Sequence, residues 1–412
     1  MMDIRLFTQM LEIDSTSGRE RGLADFLADK LLTQKNSLMR FDVESMAGDV
    51  PDGCALPQNL FFSWGTPKVI FCSHLDTVPP YIPPHVCDSS AVDIDGDLNE
   101  NSSDSGNTDI PVCKITGRGT CDAKGQIFAM WEACKALEDM GMTDFGLLLL
   151  AGEETGSFGA KAFNSFISSP SSFISSPSSV ISSEVEISPD AWVVVGEPTD
   201  NCMATASKGT KSFEVTFKGK AFHSGYPEYG ESAIQYFNDF MNALRSIRFP
   251  YDDILGETTF NIGKLSSGNP QNILSPELTC RVYFRTTFES DEMVCNVIKN
   301  MAGPDAKLRF GRPKVQDGSD IVAKDVAPWQ AAMIVKPFGG DSPTRYETFE
   351  GFETKPVSFG SDAPQLTKIP HRILCGPGSI LVAHRPDEYI NIEDIETAVH
   401  NYIKMAQRIL EQ

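Results

Sequence analysis

The sequence predicts an α/β protein of two domains: a larger one on a mostly parallel central sheet, and a ferredoxin-like βαββαβ unit inserted into it. Three observations predict this. Short, unbroken apolar runs at Val69 to Cys72, Leu147 to Leu150 and Trp192 to Val195 are interleaved with stretches of helical spacing. Runs without polar alternation belong to strands covered on both faces, as parallel sheets are. From about Lys211 the order becomes strand, helix, strand, strand, helix, strand, which spells a βαββαβ unit. Finally, 412 residues are roughly two to three times a usual domain length, enough for two cores.

Taken in order, Phe7, Met10 and Leu11 share one face of a first helix. Ser17 and Glu20 read as a capping box opening a second helix, with Leu23, Phe26, Leu27 and Leu31 on its apolar face. Ile127, Met130, Trp131 and Cys134 lie at helical spacing. In the inserted unit the strands are expected over Ser212 to Lys218, Thr258 to Leu265, Leu278 to Arg285 and Lys307 to Phe310. Ile234, Phe237, Met241 and Leu244 mark its first helix. A last helix opens at Asn391 and carries Ile392, Ile395, Val399, Tyr402 and Ala406. The expected boundaries are 1–205 and 313–412 for the two parts of the larger domain and 206–312 for the insert.

Two stretches fit neither domain and read as disordered surface insertions, one near 85–110 and one near 164–188. The first is rich in Asp, Ser and Asn. The second repeats Phe166 to Ser172 in tandem as Phe173 to Ser179. A modified or partner-binding tract is one reading of that repeat, and a loop left by replication slippage is the simpler one.

Lys and Arg total 35 against 56 Asp and Glu, a formal charge of −21 that repels phosphate backbones and anionic lipid. Neither nucleic acid nor a membrane is expected as a partner. No apolar run reaches bilayer length, and the first residues, Met1 to Phe7, lack a basic region followed by an apolar stretch, so export is not expected. The ten Cys are scattered, several inside apolar runs, without a Cys-x-x-Cys pair. A soluble protein of the cytoplasm is expected.

The ionisable residues carry the chemistry. Each apolar run ends in potential metal ligands: His74 and Asp76 after the first, Glu153 and Glu154 after the second, Glu197 after the third. Carboxyl ends of parallel strands converge on one crevice. Asp122 stands in the Gly-rich turn Gly117 to Gly125, and His384 follows Gly376-Pro377-Gly378. Imidazoles mixed with carboxylates suit zinc, with cobalt or manganese as substitutes. Taken singly these are ordinary residues: Asp122 as a helix cap, Glu153 and Glu154 as a solvated pair, His74 as a structural histidine. Their joint occurrence at strand ends singles them out.

The segments Ser73-His74-Leu75-Asp76-Thr77-Val78-Pro79, Gly117 to Gly125, Gly152-Glu153-Glu154-Thr155-Gly156, Gly196-Glu197-Pro198-Thr199 and Ala383-His384 resemble, in order, those of a known family. It is the dizinc amidohydrolase and metallopeptidase family of acetylornithine deacetylase, succinyl-diaminopimelate desuccinylase, aminoacylase and glutamate carboxypeptidase. The resemblance covers nearly the whole chain and implies a zinc-peptidase-like larger domain and two zinc ions per chain. It assigns His74, Asp122 and Glu197 to one ion and Asp122, Glu154 and His384 to the other. Glu153 would be the general base, taking a proton from the attacking water and passing it to the leaving nitrogen. Asp76 would steady His74 through the ring's other nitrogen.

The resemblance further implies a cis bond between Asp122 and Ala123 and a homodimer formed through the inserted unit, with His223 serving the partner's site. Asn272, Arg285 and Ser361 would bind a substrate carboxylate. The expected activity is hydrolysis of N-acyl amino acids, with a dipeptidase or carboxypeptidase as the alternative within the family. From another class, an inactive zinc-binding scaffold competes, yet such a protein has no reason to keep Glu153.

Overall fold

A computed structural model describes residues 2–87, 114–168, 186–302 and 327–411. The chain forms two compact units. One comprises Met1–Thr205, Tyr346–Lys355 and Ser361–Gln412, the other Ala206–Arg345 and Pro356–Gly360.

The first unit is built on a six-stranded sheet. Its strands run in the spatial order Ser37–Asp42, Gln58–Trp64, Phe145–Leu150, Val69–His74, Trp192–Val195 and His371–Leu374. The last four are parallel, and the first two join antiparallel at one side. All three unbroken apolar runs are parallel strands, and both Val69–His74 and Phe145–Leu150 are buried along their whole length. Helix Lys124–Asp139 is buried on nearly every side, with Phe128 stacked on Phe7 at 5.0 Å. Helix Ile392–Leu410 buries Ile395, Ala398, Tyr402, Met405 and Ile409, and the Tyr402 hydroxyl donates to the Cys375 carbonyl at 3.0 Å.

The capping box expected at Ser17 and Glu20 does not form. Helix Arg21–Leu31 begins without a side-chain cap, because the Ser17 hydroxyl donates instead to the Asp76 carboxylate at 2.9 Å. Glu20 is fully buried, and neither of its carboxyl oxygens has a hydrogen-bond partner among the described residues.

The second unit is a separate antiparallel sheet in the order Thr259–Ser266, Glu277–Thr286, Gly209–Lys218 and Met333–Gly339. Helices Ala233–Ser246 and Asp291–Met301 pack on one face. Glu277–Thr286 alternates strictly, sending Leu278, Cys280, Val282 and Phe284 into a core with Phe213, Phe217 and Phe240. The strand expected over Lys307–Phe310 and the boundary expected at 312 lie outside the described residues, and the described sheet takes Met333–Gly339 as its fourth strand. Most of the two insertions also lies outside them. Strand His85–Cys87 and helix Phe158–Ser168 occupy the leading residues of each. Among the described residues no helix is long and apolar enough to cross a membrane.

Candidate active site

The site lies where parallel strands of the first unit end. Val69–His74 delivers His74 and then Asp76. Phe145–Leu150 leads through Gly152, at φ +71°, into a helical turn bearing Glu153 and Glu154. Trp192–Val195 leads to Glu197, which is 4% exposed. Asp122 precedes helix Lys124–Asp139, and the peptide bond from Asp122 to Ala123 is cis. His384 adopts a left-handed φ of +63° and its ring stays half exposed.

These side chains meet. The two carboxylate oxygens of Asp122 each face one imidazole, Oδ1 at 3.0 Å from His74 Nε2 and Oδ2 at 3.2 Å from His384 Nε2. His384 Nε2 is also 2.9 Å from Glu154 Oε1. Donor atoms of His74, Asp122 and Glu197 lie within 4.8 Å of one another, as do those of Asp122, Glu154 and His384, and those of His74, Glu153 and Glu154.

Asp76 meets both His74 and the turn that bears Glu153 and Glu154. The His74 Nδ1 proton goes to the Asp76 backbone carbonyl at 2.9 Å, while its carboxylate stands 3.5 Å away. That carboxylate accepts the backbone N–H groups of Glu153 at 3.0 Å and Glu154 at 3.1 Å, besides the Ser17 hydroxyl. Asp76 thus fixes the backbone of the turn from which Glu153 and Glu154 project.

The electrostatics are those of a cation site. Burial pushes Glu153 well above the usual carboxylate range against the attraction of His74, and repulsion from Glu197, Asp362 and Glu154 adds to the rise. Burial likewise raises Glu197 and Glu154. Asp122 is the exception: burial opposes its ionisation, but hydrogen bonds from His384 and His74 hold its carboxyl low. Contacts with Asp122 and Glu154 push His384 up to about 10. Among the described residues, Glu197 Oε1 and Asp362 Oδ1 are buried without a hydrogen-bond partner. Orphaned acceptors in an acidic cluster are what bound cations would satisfy. Imidazole nitrogen with carboxylate oxygen is the donor set of zinc. The residues present therefore fit the expected metal pair.

Sequence reasoning passed over two members of this region. In the loop Gly360-Ser361-Asp362-Ala363 it chose Ser361, which is 3% exposed and accepts the Ala363 N–H at 3.3 Å. Its neighbour Asp362 belongs to the acidic cluster, its carboxyl pushed up to about 7 by burial against the pull of His74 and a Ser157 bond. Glu388 grips the loop that carries Asp122, through the amides of Gly119, Cys121 and Asp122. His223, Asn272 and Arg285 belong to the second unit. There the Ser224 amide donates to the Asn272 carbonyl at 2.9 Å. The Arg285 guanidinium lies 5.0 Å from the Tyr283 ring.

A mixed sheet whose parallel strand ends gather imidazoles and buried carboxylates around one shared Asp defines a metallohydrolase. The chain belongs to the peptidase family M20/M25/M40, whose family model matches residues 70–408, and is a metal-dependent hydrolase acting on linear amide or peptide bonds. It is 30% identical to a protein of Aspergillus terreus named a probable carboxypeptidase, over 97% of this chain and 84% of that one. Its fold is similar to that of a tripeptidase from Staphylococcus aureus, with a TM-score of 0.67, 18% identity, and 99% and 98% of the two chains covered. It is also similar to the Bacillus subtilis YXEP protein, described as a dinuclear metal-binding peptidase of the M20 family, with a TM-score of 0.56 at 12% identity and 99% and 97% coverage.

Proposed function

We propose that this hydrolase is a two-zinc exopeptidase of the carboxypeptidase or dipeptidase kind, with Glu153 as its general base. The observation that carries the reading is the pair of ligand trios sharing Asp122, with Glu153 grouped beside them. His74, Asp122 and Glu197 would hold one ion, and Asp122, Glu154 and His384 the other. Bound there, the metal pair supplies a Lewis acid for the scissile carbonyl and lowers the pKa of the attacking water. Glu153 takes the proton of that water and returns it to the leaving amine, a role favoured by the burial that raises its carboxyl. Asp76 holds the turn so that Glu153 and Glu154 keep separate tasks.

The order of the two family readings reverses here. The sequence alone puts N-acyl amino acid hydrolysis first, whereas the relative with a carboxypeptidase name, matched over nearly the whole chain, supports peptides. Both substrate classes offer the same reacting group, an amide followed by an α-carboxylate. Asn272 and Arg285 are assigned to that carboxylate in either case. Ser361, whose oxygen already accepts the Ala363 amide, keeps its own O–H to donate. The order of strands and helices in the second unit, with Met333–Gly339 as its fourth strand, supports a ferredoxin-like module serving dimerisation.

The test is a turnover panel of dipeptides, tripeptides, N-blocked dipeptides and N-acetyl amino acids, run before chelation, after it, and after zinc is restored. Hydrolysis should vanish with the metal and return at two ions per chain, with kcat/KM for peptides above that for N-acetyl amino acids by about tenfold or more. Preference for N-acetyl amino acids would reinstate the deacylase. A fully loaded protein that turns over nothing would favour the scaffold.

A further inference from the structure

Glu388 is fully buried just beyond His384, and its carboxylate has an unusual set of donors. Oε1 accepts the backbone N–H groups of Gly119 at 2.9 Å, Cys121 at 3.1 Å and Asp122 at 3.2 Å. Oε2 accepts Arg118 Nη1 at 2.5 Å, and Arg118 is itself 2% exposed. The grip continues in the backbone: the Gly117 N–H donates to the Glu388 carbonyl at 3.0 Å and Arg118 Nη1 to the Arg385 carbonyl at 3.3 Å. The loop from Gly117 to Asp122 is thus closed onto the segment that follows His384.

Several amides of one short loop reach a single oxygen only if the chain reverses hand among them, making a concave anion nest. Gly119 does this at φ +85°. A Cβ there would also come within 3.0 Å of the Thr77 side chain and 3.2 Å of Lys124, so the position is reserved for glycine. With the amides turned toward Glu388, the Asp122 side chain faces the other way, toward the His74 and His384 rings.

We infer that Glu388 is a positioning residue that holds the Asp122 loop and the His384 segment in one register and so sets the geometry of the Asp122, Glu154 and His384 trio. The inference rests on the two-ion reading above. It predicts unequal consequences for the two trios. His74 and Glu197 adjoin strands tied together by the sheet, the Gly196 N–H donating to the Cys72 carbonyl at 2.8 Å. Asp122 and His384 are both referenced to Glu388. Relaxing Glu388 therefore loosens the trio that contains His384 more than the trio that contains Glu197.

The experiment strips the full-length protein of metal and titrates zinc against a competing chelator, resolving the two steps for wild type, Glu388→Gln and His384→Ala. Cobalt-loaded samples report ligand geometry through their visible spectra, and thermal melts of the metal-free proteins report folding. Glu388→Gln should weaken, by about 10- to 100-fold, the same step that His384→Ala removes, and move the other step by less than about threefold. Its metal-free melting should match wild type, and kcat should recover when zinc is supplied above the weakened Kd, with KM unchanged.

Unchanged zinc steps would overturn the inference. So would equal weakening of both steps together with a lowered melting temperature, which would mark a purely structural ion pair. If Glu388→Gln does not fold, Glu388→Asp serves instead, keeping the charge near Arg118 while withdrawing it from the amides. It should show the same selectivity, and selectivity absent from it counts against Glu388 equally. Wild type that binds a single ion would instead defeat the two-ion reading.

Discussion

Glu153 and Glu154 are chain neighbours with different assignments, and the Asp76 carboxylate is what separates them. Their amides are pinned at 3.0 and 3.1 Å, so the two side chains leave a fixed turn. Glu154 Oε1 meets His384, whereas Glu153 stands among acidic groups where burial raises its carboxyl. Glu153→Gln should keep both ions while lowering kcat by about a hundredfold or more. Glu154→Gln should release an ion, seen in the metal content of the purified variants. Equal metal loss from both would remove the distinction. At this scale the sequence was legible where a candidate site residue follows its own strand, as His74, Glu153, Glu154 and Glu197 do. It passed over Asp362 and Glu388 and read Glu20 only as part of a helix cap, because their parts depend on neighbours far along the chain. The Glu388 contact to Asp122 spans 266 positions, and no local pattern announces it.

Among elements, the start of helix Arg21–Leu31 shows a tertiary contact overriding a local rule. The Ser17 and Glu20 spacing is that of a capping box, but the Ser17 hydroxyl is drawn to a buried carboxylate, a stronger partner than a helix amide. Glu20 is left in the interior beside Asp76, and burial together with the Asp76 charge pushes it from 4.5 up to about 8. The sign of the linkage follows. Below about 4.5 Glu20 is neutral in both folded and unfolded chains. Between there and about 8 the unfolded chain ionises first, so stability falls as pH rises. Glu20→Gln cannot ionise and should flatten that decline. Melts of metal-free protein at pH 5 and pH 8 should show the variant gaining on wild type at the higher pH. A constant difference would mean that Glu20 is already charged when folded. The apolar runs of the central sheet were readable because they are buried on both faces. The strand Met333–Gly339 was not, since Pro337 and an exposed second half deny it any strand-like pattern.

At the scale of the whole molecule, the second unit's sheet ends, among the described residues, in the edge strands Thr259–Ser266 and Met333–Gly339, which the proposed twofold partner could pair with. The unit also exposes Phe222, Tyr226, Tyr229 and Ile273 around His223. The Gly225 amide donates to His223 Nδ1 at 3.0 Å, so a neutral ring carries its proton on Nε2, the donor that the proposed role in trans requires. For a dimer that shares His223 in trans, mixing Glu153→Gln chains with His223→Ala chains should restore activity. One site of each heterodimer then combines an intact Glu153 with an intact His223. No recovery in verified heterodimers would place His223 within its own subunit or outside the reaction. The first unit, meanwhile, is interrupted in sequence by the second. Its strand His371–Leu374 pairs with Trp192–Val195 across that interruption, and 230 positions separate Glu154 from its partner His384. During synthesis the chain emerges amino end first, so His74, Asp122, Glu154 and Glu197 leave the ribosome while His384 and Glu388 are still unmade. A nascent or truncated chain owns one trio and lacks the other. On the two-ion reading, the second trio is completed only when His384 has been translated, after the whole of the second unit.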